Sequence, residues 1–264
     1  MPGGGWRLAG WVAIACAVPA LLLAVAEARE RQHPLICEAF IDELDALDRG
    51  RWLISDGWSN GGMFNAGWRR ENARLADGHL TLVLDDRPAS GRLFSAGEVQ
   101  SRRFAGYGRF EVRMKPARGV GTVSAFFIYT GPSHGDPMDE VDIEFLGKDT
   151  TVMQTNYFTN GEGGKETLIP LGFDAADSFN DYAIDWHPDA IRWYVNGRLV
   201  HEERGARGPL PTHPGKIIAS LWNGTGVDDW LGPFAYPGRP LAAIYDRIAF
   251  TPLPGNPGCG GDRR

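Results

Sequence analysis

A two-residue hydrophobic period recurs from His79 to Phe250 and leaves this chain little choice but strands. In His79-Leu80-Thr81-Leu82-Val83-Leu84-Asp85, Leu80, Leu82 and Leu84 fall on one face, as the pleat of a half-buried strand requires. Arg109 to Lys115 alternates as cleanly and stops at Pro116, and Val123 to Tyr129 is a β-branched and aromatic run suited to a central strand. Tyr182 to Trp186 and Ala190 to Val195 flank a turn at His187-Pro188-Asp189. Asn196-Gly197 then offers the positive-φ positions of a tight hairpin before Arg198 to Glu202. Ile217 to Trp222 and Leu241 to Phe250 complete the set. No amphipathic helix of useful length, internal repeat or dividing linker interrupts them. Many short strands without helices predict an all-β antiparallel sandwich or barrel. Residues 40–252 read as one domain, 29–39 as an N-terminal tail and 253–264 as a C-terminal tail.

Composition supports this and narrows the partners. The 264 residues include 35 Gly, 18 Pro and 9 Trp, which suits a turn-rich protein with aromatic surfaces. The formal net charge of −6 gives no electrostatic footprint for nucleic acid or anionic lipid, so neither is expected as a partner. Leu8 to Ala26 is an apolar run preceded by Arg7 and followed by small residues at Ala24, Ala26 and Ala28. Residues 1–28 therefore read as a secretory signal peptide, cleaved after Ala26 or Ala28; the alternative is a retained anchor. Pro19 and the Ala-x-Ala pattern favour cleavage. That predicts a secreted or periplasmic protein with no membrane association once the signal is gone.

The chemistry concentrates in Asp139-Glu140-Val141-Asp142-Ile143-Glu144-Phe145, where acids alternate with hydrophobes. In a strand, Glu140, Asp142 and Glu144 share one face while Val141, Ile143 and Phe145 enter the core. Three aligned carboxylates repel one another and give the fold nothing. Crowding separates their pKa values, so one stays protonated as an acid while another stays ionised. A retaining glycosidase needs that division between a nucleophile and an acid/base. Spacing alone equally suits a hard-cation site or a solvated charged face.

The longer stretch Glu140-Val141-Asp142-Ile143-Glu144-Phe145-Leu146-Gly147 resembles the signature of glycoside hydrolase family 16. Further stretches resemble its bacterial lichenases, the endo-β-1,3-1,4-glucanases. These are Asp56 to Gly62, Tyr129 to Pro132, Gly147 to Thr151, Thr159 to Gly161, Leu171 to Ala175 and Leu221 to Gly232. The resemblance implies a concanavalin A-like β-jelly-roll sandwich of two antiparallel sheets with a concave substrate cleft. It implies a monomer that hydrolyses β-1,4 links in mixed-linkage β-glucan with retention. Glu140 would be the nucleophile and Glu144 the general acid/base, with Asp142 hydrogen-bonded to the nucleophile. Matched positions suggest Trp58, Asn60, Phe64, Glu98, Phe127, Tyr129, Gln154, Asn156 and Trp222 for sugar binding, by aromatic stacking and hydrogen bonds. Trp52, Trp186 and Trp193 sit in strand patterns and read as core.

Departures from the pattern bear on substrate. Met138 stands where a Trp is expected, Gln100 where an Arg, Phe158 where a Tyr and Ser220 where an Asn. They keep a bacterial exopolysaccharide such as succinoglycan as the alternative substrate. A non-catalytic lectin is disfavoured, because it has no use for a repelling carboxylate triad. Catalysis is expected to need no cofactor. The resemblance also implies a structural Ca²⁺ far from the cleft, with Asp246 and the Gly78 carbonyl at matching positions. His134, His187 and His213 lack metal-ligand spacing and read as loop residues. The family's usual disulfide positions are Ala66 and Ala96 here. Cys37 and Cys259 remain after signal removal, and two cysteines in an exported protein pair. A bond between them is expected because proteins resembling this one bring their termini together; two free thiols on loose tails are the alternative.

Overall fold

Each stretch of alternation becomes a strand in the computed structural model, which describes residues 33–256 and Cys259. Two sheets form. The one that bears the acidic strand runs, edge to edge, β11 (Thr167–Pro170), β10 (Val152–Phe158), β9 (Asp139–Leu146), β8 (Thr122–Thr130), β15 (Lys216–Asn223), β6 (Phe94–Ser101) and β2 (Trp52–Ile54). β3 (Ala66–Trp68) adds to β6 in parallel. The backing sheet runs β14 (Arg198–Glu203), β13 (Ala190–Val195), β12 (Asn180–His187), β7 (Gly108–Lys115), β16 (Leu241–Pro252), β5 (His79–Leu84) and β4 (Ala73–Ala76), with β1 (Phe40–Asp42) on β16. All pairs except β3–β6 are antiparallel. Non-consecutive neighbours such as β8–β15 and β7–β16 are the crossovers of a jelly-roll sandwich. Asn196 and Gly197 take φ of 47° and 78° at the β13–β14 hairpin, as the Asn-Gly pair predicts. His187 ends β12 rather than lying in a loop.

The two sheets meet through the apolar halves of their alternations. Val141, Ile143 and Phe145 of β9 are buried with Phe126, Ile128, Ile217 and Leu221, against Phe110, Val112, Ile184, Ile191 and Ile248 of the backing sheet. Trp52, Trp186 and Trp193 are all core residues, as their strand patterns predict. Two polar ties cross this apolar layer. Trp193 Nε1 donates to the Asp142 carbonyl at 2.9 Å, and the Tyr245 hydroxyl lies 2.9 Å from Ala125 O and 3.1 Å from Ser220 O. A buried indole or phenol needs such a partner, and here the partners are carbonyls of the sheet that bears the acidic strand.

The N-terminal segment is tied down from its first described residues. His33 Nε2 meets Asp136 Oδ2 at 2.7 Å, and Ile36 N donates to Phe104 O at 2.7 Å. Cys37 and Cys259 form a disulfide with Cα atoms 5.3 Å apart. The expected signal peptide, residues 1–28, lies outside the described residues. Among the described residues no helix is long and apolar enough to cross a membrane.

Candidate active site

Register decides what faces what on the sheet that bears the acidic strand. Glu144 pairs with Gln154 on one side and Ala125 on the other, and the row continues through Ser220 to Glu98. Asp142 pairs with Asn156 and Phe127, and that row reaches Ile218 and Gln100. Glu140 pairs with Phe158 and Tyr129, followed by Lys216. Directly opposed residues in an antiparallel sheet share a face. The three acids of β9 therefore share one face with Glu98, Phe127, Tyr129, Gln154 and Asn156, all named by sequence comparison alone. The Phe158 ring lies against Gly163, where an added Cβ would come within 2.2 Å of it.

Asp142 is buried, Glu140 and Glu144 are partly buried on either side of it, and the three are close enough to feel one another. Burial raises all three pKa values. For Glu140 the charge of Glu144 adds to burial and a hydrogen bond from Asp142 opposes it. Asp142 is raised well above the usual carboxylate range by burial, then by the charges of Glu140 and Glu144. Glu144 is raised by burial and by Glu166, while the bond from Gln154 Nε2 to Oε2, 2.7 Å, opposes the rise. The hydrogen bond from Asp142 is the one influence that favours the anionic form of Glu140, and it requires the shared proton to sit on Asp142.

Glu98, on the same face, is a further carboxyl and is buried. Ser55 Oγ donates to it at 2.5 Å and Gln100 Nε2 at 2.8 Å. Burial pushes its pKa to about 7 against those two donors and the charge of Lys216. Gln100 thus turns back onto Glu98 and Ser55.

The aromatic positions divide. Trp58 is 38% exposed, but Trp222 is only 4% exposed, with the Phe64 ring 4.0 Å away and Trp230 6.1 Å away. Trp222 is therefore a backing for Phe64 rather than an open face. Asn60 Oδ1 accepts from Trp68 Nε1 at 2.8 Å, so its side chain also braces the Trp58–Phe64 loop. Met138 precedes β9, and its carbonyl accepts from Gly161 N.

Sequence reasoning missed two residues. Trp230, in the short helix α1 (Asp228–Leu231), donates from Nε1 to Gln154 Oε1 at 3.2 Å. Glu166 accepts from Asn156 Nδ2 at 3.3 Å and puts a further negative charge beside the triad. Neither belongs to a periodic pattern, since both reach the site from outside the central strands.

Of the two positions expected at the structural Ca²⁺, the Asp246 side chain is engaged by neighbouring basic side chains. Asp246 Oδ2 accepts from Arg113 Nε at 2.9 Å, and His79 Nδ1 stands 3.0 Å from Oδ1. The Arg113 guanidinium thus supplies positive charge to this carboxylate. Among the described residues no group of three or more His, Cys, Asp or Glu side chains is placed to hold a metal ion.

A row of neighbouring, partly buried carboxyls on the outer face of a two-sheet β-sandwich is the arrangement a glycosidase requires. Comparison with known proteins agrees: residues 60–236 match the family model "Glycosyl hydrolases family 16". A β-glucanase of Bacillus subtilis is 51% identical over 215 residues, covering 81% of this chain and 86% of the relative. One from Paenibacillus polymyxa is 52% identical over 214 residues, covering 80% and 87%. The solved Bacillus licheniformis β-glucanase superposes with a TM-score of 0.77 at 47% identity, covering 82% of this chain and 99% of that one. A β-1,3-1,4-glucanase (lichenase) from a mouse hindgut metagenome also gives 0.77 at 47% identity, covering 82% and 100%. The chain belongs to glycosyl hydrolase family 16 and is a glycoside hydrolase.

Proposed function

We propose that this protein is an exported, retaining endo-β-glucanase that cuts β-1,4 links in mixed-linkage β-1,3-1,4-glucan. The observation that carries the reading is the register of β9, which aligns Glu140, Asp142 and Glu144 on the face opposite the core. Glu140, held anionic by protonated Asp142, attacks the anomeric carbon. Glu144 protonates the leaving glycosidic oxygen as that bond breaks. Water, deprotonated by Glu144, then displaces Glu140 and restores the β configuration. Water and two carboxyls supply every proton and both nucleophiles, so this cycle needs no cofactor. Glu98, Gln154, Asn156, Phe127, Tyr129, Trp58 and Phe64 are proposed to hold the glucose units. Export is supported by the Leu8–Ala26 run and by the Cys37–Cys259 bond, which suits an oxidising compartment.

Product analysis on lichenan, laminarin, carboxymethylcellulose and succinoglycan tests the substrate. Preferred cleavage of lichenan to short oligosaccharides is expected, and no release from any of the four overturns the reading. Met138 and the inward-turned Gln100 favour a second reading, an exopolysaccharide depolymerase, because both remove groups expected for glucan. Met138→Trp separates the two. For a glucanase it raises kcat/KM on lichenan by roughly 2–10-fold, the worth of one aromatic contact. For an exopolysaccharide enzyme it leaves lichenan flat and impairs succinoglycan.

A further inference from the structure

We infer that Trp230 is a positioning residue for the acid/base carboxyl, because its indole N–H holds the Gln154 amide in the orientation that presents N–H to Glu144. The inference rests on the reading of Glu144 as general acid/base. An indole nitrogen only donates, so the Gln154 atom facing it, 3.2 Å away, must be the carbonyl oxygen. That leaves the amide nitrogen on the Glu144 side, 2.7 Å from Oε2. Gln154 is buried, so water does not compete for either end. Reversed, the amide would offer Glu144 an oxygen and favour its protonated form.

Trp230 is built to hold this place. Lys148 Nζ bonds its carbonyl, its backbone N–H bonds Val227 O at 3.0 Å, and its ring packs 6.1 Å from Trp222. Burial and Glu166 push Glu144 toward the protonated state, and the Gln154 donor pushes back. Glu144 must act first as acid and then as base, so it needs both pressures in balance. The other ionisable groups around it are Glu140 and Asp142 on its own strand, Glu166 beyond Asn156, Lys148 after β9, and Glu98 and Lys216 across β8. None of them bonds the Gln154 amide.

The test is the basic limb of the kcat/KM–pH profile, which reports ionisation of the acid. Trp230→Phe keeps a ring and removes the donor. It should move that limb upward by about one pH unit, the scale of one charge-assisted hydrogen bond, and lower kcat several-fold with KM nearly unchanged. Gln154→Met should move the limb similarly, and the double variant no further than Gln154→Met alone. In the unmodified protein, the Trp230 indole N–H resonance should titrate with the midpoint of that limb. An unmoved limb in Trp230→Phe, additive shifts in the double variant, a rise in KM alone, or an indole resonance blind to that midpoint overturns the inference. Glu144→Gln is the control for the underlying reading. If it keeps turnover, the acid/base assignment itself fails; if it collapses while the Trp230→Phe limb stays put, only the positioning role fails.

Discussion

Glu140, Asp142 and Glu144 have equal spacing but unequal environments, and their roles follow from the environments. Glu140→Gln and Glu144→Gln should each lower kcat at least ~10³-fold, while Asp142→Asn costs less because it removes only a supporting proton. Azide should rescue Glu140→Ala and yield an α-glycosyl azide. Near-native turnover in both Gln variants across the polymer panel would refute the assignment. Glu98 makes a separate, thermodynamic prediction. Its folded pKa of about 7 exceeds its ordinary value of 4.5, so the native state keeps a proton that the unfolded chain has lost. Its stabilising contribution is full below pH 4.5 and is lost as pH rises to about 7. Glu98→Gln, neutral at every pH, should therefore match the parent Tm at pH 4 and exceed it by roughly 5 °C at pH 8. A Tm gap that does not widen across this window would contradict it.

At the scale of elements, β9, the proposed catalytic strand, and its neighbour β8 are pinned from behind. Trp193 on β13 bonds the Asp142 carbonyl, and Tyr245 on β16 reaches Ala125 O, in the residue opposite Glu144. Trp193→Phe removes the cross-sheet hydrogen bond and leaves a small void. It should cost about 2–4 kcal/mol in urea unfolding and lower kcat more than it raises KM. Equal stability would mean that the tie contributes nothing. On the outer face of the backing sheet, Asp246, Arg113, Asp181 and Arg247 form an ionic ladder across β16, β7 and β12. Because Arg113 supplies the charge a cation would bring, thermal unfolding should be the same in EDTA and in millimolar Ca²⁺. A Tm several degrees higher with Ca²⁺ would show that the ion binds the native state after all.

For the whole molecule, the widest covalent constraint is the Cys37–Cys259 bond, separated by 222 positions. Loop-closure entropy for such a span is worth roughly 5 kcal/mol as an upper bound. His33 and Ile36 are already hydrogen-bonded to Asp136 and Phe104, so part of that order survives reduction. Cys37→Ser should therefore cost only about 2–3 kcal/mol in urea unfolding, and a reductant should reproduce it in the parent protein. Insensitivity of the parent to reductant would show that the cross-link does not constrain the unfolded chain.

The sequence by itself determined the strands with strong contrast between their faces, and with them the acid row of β9. β5, β7 and β9 were legible because hydrophobic and polar residues alternate there, a period that fits only a pleat, and β8 because of its β-branched and aromatic run. β6 and β10 carry polar residues and glycine where they line the site: Gln154, Asn156, Glu98 and Gly97 lower the contrast that marks a strand. Those positions were reached only through resemblance to a family. The tertiary structure alone decided which polar groups oppose Glu144, that Trp222 lies behind Phe64, that Arg113 occupies Asp246, and that Trp230 and Glu166 belong to the site. The physical reason is that alternation is a local property of consecutive residues. Cross-strand register and side-chain pairing arise only when segments tens of residues apart close against each other, and no periodicity within one segment encodes its partner.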